Sequence, residues 1–472
     1  MNKTILLINP REDNMILADN PSFVDEERGY NPPLGILYIA TAIKYNTDWE
    51  VVFIDMNAEK IKYEELPLII AKKKPMLVGM TALTFTIIDV LKVAEIVKCV
   101  DKEIKIMLGG IHPYIYPEET IRLKNIDYIC LGEGEKAIVE FLEKYPKVSE
   151  VKGFYYKDGS GKICNTGYLP MIENLDTVRF PDRRLSKYKL YTSILAKKNP
   201  ITTMITSRGC PFQCTYCIRP HFGKICRFRS PKNIIEEVKD CVELGIKEIF
   251  FYDDTFTINK KRVIEFCEEM IKEGLNQEIK WDIRSRVDTV DQKMINLLKK
   301  AGCDRIHFGI ESANERILKI LKKNINLKET EEIFKICDFE GVTAFAYFMI
   351  GSPTESKEEI LNTIDFASRI KVKYSQITIT TPFPETEIYK ELLVSKYYEN
   401  DYWKKFAENP TRDFKVKYCE DKLSEKELFD LLKLFYKKFY FRPKFIFNEF
   451  LKIRSFSELF KKIKAAVKII LS

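Results

Sequence analysis

The sequence predicts an α/β protein with two parallel sheets in succession and a helical C-terminal region. Apolar strands alternate with helix-like segments through residues 1–145, and the same alternation returns in six units through residues 201–380. Such continuous apolar strands, separated by helices, are typical of parallel sheets covered on both faces. The chain of 472 residues, 45% of them hydrophobic, is long enough for two or three packed domains.

The first unit, residues 1–145, is predicted to be a doubly wound, flavodoxin-like sheet that binds its ligand at the carboxyl ends of the strands. The predicted strands are residues 4–9, 50–55, 76–81, 104–108 and 128–131. Helices are predicted over residues 34–44 and 87–99, and from residue 135 onward.

Unusual residues stand where these strands end: Thr81, Thr84, Gly109, Gly110, His112, Gly132, Glu133 and Gly134. Glycine has no Cβ, so paired glycines let a bulky ligand approach the backbone. The spacing alone leaves two interpretations open, a ligand site or ordinary tight turns between strands and helices.

Residues 146–200 are predicted to be a connector with one hairpin, turned at residues 157–161. Residues 201–390 then form a partial (β/α)6 barrel whose active face is the carboxyl end of its strands. The predicted barrel strands are residues 201–206, 248–252, 279–283, 305–310, 343–350 and 376–379. Residues 391–472 are predicted to be helical.

The net charge of +8 comes from the C-terminal end of the chain. Residues 437–472 hold ten Lys and Arg against two Glu, which leaves residues 1–436 balanced at 67 of each sign. A neutral body does not indicate nucleic-acid binding. The sequence shows neither a run of eighteen apolar residues nor a signal peptide, so a cytoplasmic protein is expected.

Three of the twelve cysteines stand in one short loop after the first barrel strand. Cys210, Cys214 and Cys217 have the spacing C-x3-C-x2-C. Three thiolates can hold three irons of a [4Fe–4S] cluster and leave the fourth iron open. The alternative is a structural zinc site completed by Cys226 or His221. Zinc usually takes four ligands in two spaced pairs, so a single three-cysteine loop favours the cluster.

This loop, with Tyr216 before its last cysteine, resembles the signature of the radical S-adenosylmethionine superfamily. The resemblance covers residues 201–390 and extends to strand ends at 251–256, 284–288, 308–312 and 349–355. It implies that the open iron binds S-adenosylmethionine and that the cluster cleaves it to a radical. It also implies ribose or amino-group contacts from Asp253 or Glu311. Arg284 or Arg286 would pair with the methionine carboxylate. For each of these four residues a structural ion pair is the alternative.

Residues 1–145 resemble the cobalamin-binding domain of the B12-dependent branch of that superfamily. The resemblance lies in residues 31–35, 77–81, 108–113 and 132–135, and it implies cobalamin as a cofactor. The usual cobalt ligand from D-x-H-x-x-G is absent, because the matching place has Asp55-Met56-Asn57-Ala58-Glu59-Lys60. His112 is the single histidine of this domain, and either cobalt ligation or an ordinary turn contact is open for it.

The resemblance implies radical C-methylation of a small-molecule or lipid substrate, with an electron donor such as flavodoxin or ferredoxin. Oxidative cyclisation, as in the anaerobic magnesium-protoporphyrin monomethyl ester cyclase, is the second interpretation. A non-catalytic iron–sulfur or cobalamin sensor is the third, and 5′-deoxyadenosine formation would distinguish it. Methylthiotransferases carry a second three-cysteine set in the N-terminal domain, where this chain has only Cys99 and Cys130.

The last eighteen residues, 455–472, are predicted to form an amphipathic helix with one apolar and one lysine-rich face. Two interpretations are open. The helix docks on the protein body, or it lies on an anionic membrane surface and gives peripheral membrane contact.

Overall fold

The computed structural model describes residues 3–16, 29–218, 225–443 and 445–446. His221 and the predicted C-terminal helix, residues 455–472, lie outside the described residues.

The N-terminal unit is built on a seven-stranded sheet whose first five strands are parallel. Its region contains strands β1 (Thr4–Asn9), β2 (Gly29–Tyr30), β3 (Glu50–Asp55), β4 (Leu77–Thr81), β5 (Lys105–Gly109), β6 (Tyr128–Cys130), β7 (Phe154–Lys157) and β8 (Ile163–Asn165). Its helices are α1 (Leu34–Asn46), α2 (Leu66–Lys73), α3 (Ile87–Val100), α4 (Ile111–Ile115), α5 (Pro117–Arg122) and α6 (Gly134–Lys144). The order β3-β1-β4-β5-β6 is the flavodoxin-like order and confirms the predicted fold.

The predicted connector contributes to this first sheet. The hairpin β7–β8 pairs antiparallel with β6, so the sheet extends to residue 165, beyond the predicted domain end at residue 145. A two-stranded ribbon of β2 with β9 (Thr192–Ser193) joins the start of the chain to the end of the connector.

Both faces of the first sheet are buried, which explains its continuous apolar strands. Helices α1 and α6 pack together on one face, and α2 and α3 pack on the other. The apolar core on the second face continues into the C-terminal helices α14 (Glu387–Val394) and α15 (Tyr402–Glu408), so the C-terminal region covers the N-terminal unit.

The second unit is an open parallel barrel. Its region contains strands β10 (Ile201–Met204), β11 (Ser207–Arg208), β12 (Arg227–Phe228), β13 (Glu248–Phe251), β14 (Lys280–Ser285), β15 (Cys303–Glu311), β16 (Thr343–Ile350) and β17 (Tyr374–Ile379). Its helices are α7 (Pro231–Glu243), α8 (Lys260–Lys272), α9 (Leu275–Glu278), α10 (Gln292–Lys300), α11 (Glu315–Ile320), α12 (Leu327–Glu340) and α13 (Lys357–Arg369). The sheet order β10-β13-β14-β15-β16-β17 is parallel throughout, which confirms the partial (β/α)6 barrel.

Helix α16 (Glu425–Tyr440) closes the described part of the chain. A capping box between Ser424 and Glu427 starts the helix, and its buried face packs on β17 and α13. Among the helices that the structure describes, none has the length and apolar character needed to cross a membrane.

Candidate active site between the two sheets

The three-cysteine loop leaves the barrel through a short two-stranded ribbon. Strands β11 and β12 pair antiparallel, with Arg208 opposite Arg227, and Cys210 follows Arg208 by two residues. Further along the loop, Thr215 donates its backbone N–H to Leu321 O at 3.1 Å and accepts a bond from Ile388 N at 3.1 Å. The loop is therefore fixed at its start by the ribbon and near its end by the chain after α11 and by α14.

The three thiols differ in their surroundings. Cys214 is buried, Cys210 is half-buried and Cys217 is exposed. Burial raises the pKa of the Cys210 thiol, and the guanidinium of Arg286 lies 3.9 Å from Cys214 Sγ. Within the described residues, no three metal-binding side chains gather closely enough to hold a single ion. The loop offers three thiol donors on one short segment, the donor type that an iron–sulfur cluster takes.

A buried polar cluster braces this loop against the end of β15. Tyr216 donates its hydroxyl to Glu311 Oε1 at 2.9 Å, and Lys323 Nζ lies 3.0 Å from the same oxygen. Burial raises the pKa of Tyr216, and the adjacent Glu311 charge adds to the shift. Glu311 has φ of 70°, a left-handed conformation that costs a non-glycine residue about 1–3 kcal/mol. Such strain is typical of functional sites, and here it aims the carboxylate at the cysteine loop.

The predicted Asp253 braces the backbone that leads into the loop. Its carboxylate is fully buried, accepts the N–H and the hydroxyl of Thr206, and lies 3.6 Å from Arg262. The next residue, Asp254, is accessible at the strand end, although surrounding protein atoms desolvate it and raise its pKa. Asp254 is therefore better placed than Asp253 to meet a ligand, a distinction that the sequence pattern does not make.

The two predicted arginines have different partners. Arg286 binds Asp288 with two bonds of 2.9 and 2.7 Å and donates to Lys323 O at 2.6 Å. Arg284 stacks 3.9 Å above the Tyr252 ring and donates to a backbone oxygen, and among the described residues it has no carboxylate partner. Arg284 is consequently the arginine that remains available for an anionic group.

A cavity of about 190 Å³ lies in the N-terminal unit, between the sheet and helix α1, and opens toward the barrel. Six of the predicted residues line it: Thr81, Gly109, Gly110, Gly132, Glu133 and Gly134. Two barrel residues, Ile205 and Arg208, complete the lining. The cavity is therefore shared by both units, and it ends beside the strand that carries the cysteine loop.

His112 and Thr84 lie beneath this surface, outside the cavity lining. His112 is fully buried, its Nδ1 is 3.2 Å from Thr84 Oγ1, and its Nε2 has no hydrogen-bond partner among the described residues. Burial lowers the pKa of His112 to about 3, so the imidazole is neutral at physiological pH.

Glu133 links the two units. Its carboxylate binds the guanidinium of Arg227 through two bonds of 2.8 and 2.7 Å and lies 3.2 Å from Arg208. Glu135 pairs with the same Arg208. The sequence pattern assigned Glu133 to a cofactor and did not single out Arg208 or Arg227, whose roles depend on how the units dock.

Two family models match the chain in agreement with this division. The B12 binding domain matches residues 23–142, and the radical SAM superfamily matches residues 204–367. An uncharacterized methyltransferase of Pyrococcus horikoshii is 36% identical over 428 residues, which cover 89% of this chain and 90% of the relative. The chain belongs to the cobalamin-binding radical S-adenosylmethionine family. An anaerobic magnesium-protoporphyrin IX monomethyl ester cyclase of Rubrivivax gelatinosus is 29% identical over 78% of this chain and 67% of its own length.

Solved structures of this cobalamin-binding radical S-adenosylmethionine family share the fold. The cobalamin-dependent enzyme OxsB, with aqua-cobalamin and S-adenosylmethionine bound, has a TM-score of 0.73 at 18% identity. That match covers 99% of this chain and 72% of OxsB. The methyltransferase TsrM from Kitasatospora setae, with cobalamin and a [4Fe–4S] cluster bound, has a TM-score of 0.68 at 16% identity, over 84% of this chain and 78% of TsrM. This chain is a radical S-adenosylmethionine enzyme whose cofactors are the cluster, S-adenosylmethionine and cobalamin.

The residues present fit these cofactors. Three thiols on one loop, one of them facing a guanidinium, suit an iron–sulfur cluster with an open iron. In the cavity, a Cβ at Gly35 would meet nothing within 4 Å, and one at Gly109 would meet only Cys130 O at 3.9 Å. Gly110, by contrast, has φ of 102°, so its glycine also serves the turn itself. Gly35 and Gly109 therefore leave space at the cavity wall for part of a bound cofactor.

Proposed function

We propose that this enzyme methylates a carbon atom of a small organic substrate, with the methyl group taken from S-adenosylmethionine. The main support for the proposal is the shared cavity. Its lining includes both the glycine turns of the B12 domain and residues next to the cysteine loop. A methyl carrier and a radical source could then act on one substrate between the two units. The methyltransferase relative, 36% identical along nearly its full length, supports the same reaction class.

When bound, the cluster supplies the electron that cleaves S-adenosylmethionine to a 5′-deoxyadenosyl radical, and cobalamin supplies a carrier for the methyl group. The protein's own residues position and shield these groups. Arg286 donates toward the Cys214 sulfur, while Tyr216 and Glu311 hold the loop to the barrel. The apolar cavity walls exclude water beside the B12 domain.

The barrel lumen is the proposed substrate site. Residues on the outer face of its strands, such as Ile249 and Phe308, pack under the helices, so the alternate positions point inward. These positions include Tyr252, Arg284 and Tyr347, all partly accessible. Deeper in the lumen, three buried charged side chains form an ion-pair chain, Glu248, Asp282 and Arg305, and His307 Nε2 lies 3.5 Å from the Asp282 carboxylate. Aromatic faces and the Arg284 guanidinium, which has no carboxylate partner among the described residues, suit a substrate with a flat or anionic part.

Methyl transfer to cobalamin tests the proposal without knowledge of the substrate. The full chain is reconstituted anaerobically with iron, sulfide and hydroxocobalamin, reduced with titanium(III) citrate, and given S-adenosylmethionine with a deuterated methyl group. We expect S-adenosylhomocysteine and deuterated methylcobalamin to form in equal amounts, and 5′-deoxyadenosine to form as a second product. Bound cobalamin that never receives the label would contradict a methyltransferase. 5′-Deoxyadenosine alone would then favour a cyclase, the activity of the Rubrivivax relative.

Two partners remain proposals on sequence grounds. A one-electron donor such as flavodoxin or ferredoxin would reduce the cluster, and Cys217, which is exposed, lies on the accessible side of the loop. Residues 455–472, with their lysine-rich face, would bring the enzyme to an anionic membrane and a lipid substrate. Liposome flotation of the full chain, compared with a chain shortened before residue 455, tests the second proposal; no flotation of the full chain would end it.

A further inference from the structure

The contact between the two units centres on four charged side chains, Glu133, Glu135, Arg208 and Arg227, which we name the interdomain clamp. Glu133 and Glu135 stand in the turn that opens α6, and the arginines face each other across the ribbon β11–β12. Two carboxylates meet two guanidinium groups, so the clamp carries no net charge. Its side chains are between 1% and 10% exposed, which removes it from solvent screening.

The geometry of the clamp is more specific than that of a surface ion pair. Arg227 grips Glu133 through two parallel bonds of 2.8 and 2.7 Å, the fork arrangement that fixes direction as well as distance. Ile172 N donates to the same carboxylate at 2.6 Å, and Arg227 donates to Ile172 O at 2.6 Å. Burial alone would raise the pKa of Glu133, but the bonds from Arg227 and the charge of Arg208 lower it, so Glu133 stays ionised.

The clamp joins the cavity of the B12 domain to the strand that leads into the cysteine loop. Glu133 and Glu135 line the cavity of the B12 domain, and Arg208 lines it from the barrel side. Along the chain, Arg208 is separated from the cluster ligand Cys210 only by Gly209, whose carbonyl accepts a bond from Cys226 Sγ at 3.1 Å. A displacement of the turn at Glu133 would therefore also move Arg208, and Cys210 follows Arg208 by only two residues.

We infer that the clamp sets the position of the cobalamin domain relative to the cluster loop, and that its four members are positioning residues for methyl transfer from S-adenosylmethionine to cobalt. The inference rests on the proposed function. When bound, reduced cobalamin would supply the electron pair that accepts the methyl group, while the sulfur–methyl bond breaks and S-adenosylhomocysteine leaves. Cobalamin and S-adenosylmethionine would bind to different units, so their alignment depends on how the N-terminal unit docks on the barrel. A misplacement of about 1 Å can slow such a step about 100-fold.

Neutral isosteric variants separate positioning from folding. Glu133→Gln and Glu135→Gln each remove one charge and keep the shape of the side chain. Glu140→Gln is the matched control, because Glu140 lies on the same helix, is half-exposed, and pairs with Lys144 one turn away. In the full chain without cofactors, hydrogen–deuterium exchange should quicken at residues 206–210 and 226–229 in the two clamp variants, and stay unchanged in the control.

The reconstituted enzymes supply the second readout, with hydroxocobalamin, titanium(III) citrate and S-adenosylmethionine as the probes. We expect methyl transfer to cobalt to fall by about 100-fold in the two clamp variants, a larger loss than that of cobalamin affinity or of 5′-deoxyadenosine formation. Unchanged exchange, unchanged methyl transfer, or an equal loss of all three activities would each overturn the inference. A wild-type enzyme that never methylates cobalt would instead contradict the proposed function, and the exchange experiment would still decide whether the clamp holds the cluster strand.

Discussion

Glu355 is a buried carboxyl group at the carboxyl end of the barrel, in the turn between β16 and α13. Its side chain is 1% exposed, and one oxygen accepts a bond from Ser352 N at 3.0 Å. The other oxygen has no hydrogen-bond partner among the described residues. Burial raises the pKa of Glu355 to about 8, against a usual value of 4.5. The folded protein therefore keeps this carboxyl protonated at neutral pH.

This raised pKa makes the stability of the barrel depend on pH. Between pH 4.5 and 8 the unfolded chain has lost the proton that the folded protein retains, so the free energy of unfolding falls as the pH rises. Each pKa unit corresponds to about 1.4 kcal/mol, which gives a cost of about 3 kcal/mol at pH 7 and about 4 kcal/mol at pH 8. Glu355→Gln has no proton to lose and should avoid this cost.

Thermal unfolding of the cofactor-free chain, measured from pH 4.5 to 8.5, checks the prediction. The melting temperature of Glu355→Gln should match that of the wild type near pH 4.5 and exceed it increasingly toward pH 8. Glu358→Gln is the control, because Glu358 is exposed on the adjoining helix α13 and should give no growing difference. A difference in melting temperature between Glu355→Gln and wild type that stays constant with pH would contradict a raised pKa for Glu355.

Three further predictions concern the cofactor sites. Gly35→Leu should abolish hydroxocobalamin binding, because the leucine side chain would occupy space in the cavity of about 190 Å³. Gly159→Leu is the control and should bind normally, because Gly159 also has no neighbour within 4 Å but lies in the exposed hairpin turn. Equal binding by the two variants would contradict the cavity assignment. Arg284→Gln should weaken S-adenosylmethionine or substrate binding by about 10- to 100-fold in equilibrium dialysis, the usual loss of a charged hydrogen bond, and an unchanged affinity for both would remove Arg284 from the site. His112→Gln should leave the absorption spectrum of bound cobalamin unaltered, since His112 is buried outside the cavity lining; a spectral change that reports a lost axial ligand would show that His112 reaches cobalt.

The strands were predictable from the sequence because their apolar runs reflect burial on both faces. Strands β1, β3 and β16 begin and end at the predicted residues. The hairpin β7–β8 was predicted as a hairpin, but its place in the first sheet depends on pairing with β6, which local sequence does not encode. Single-strand periodicity reports burial, not partners.

In the candidate site too, some features could be predicted from the sequence and others could not. The glycine turns were predictable, because the absence of a Cβ is itself the property that a large ligand needs. The partner of Glu133 was not, since Arg227 is 94 residues away in sequence and the bond forms only when the units dock. Lys323, which reaches Glu311 from another loop, carries no motif that would mark it. Contacts between units depend on tertiary geometry, and sequence spacing does not fix that geometry.

In this enzyme the three-cysteine loop holds the cluster that cleaves S-adenosylmethionine, beside a cobalamin-binding domain. The most direct test compares Cys217→Ala with Cys99→Ala, two exposed cysteines of which only Cys217 belongs to the loop. After anaerobic reconstitution with cobalamin and reduction, 5′-deoxyadenosine is quantified by mass spectrometry. We expect wild type and Cys99→Ala to form 5′-deoxyadenosine and Cys217→Ala to form none, although all three proteins bind cobalamin. Equal 5′-deoxyadenosine from Cys217→Ala, or none from a wild-type enzyme with an intact reduced cluster, would contradict it.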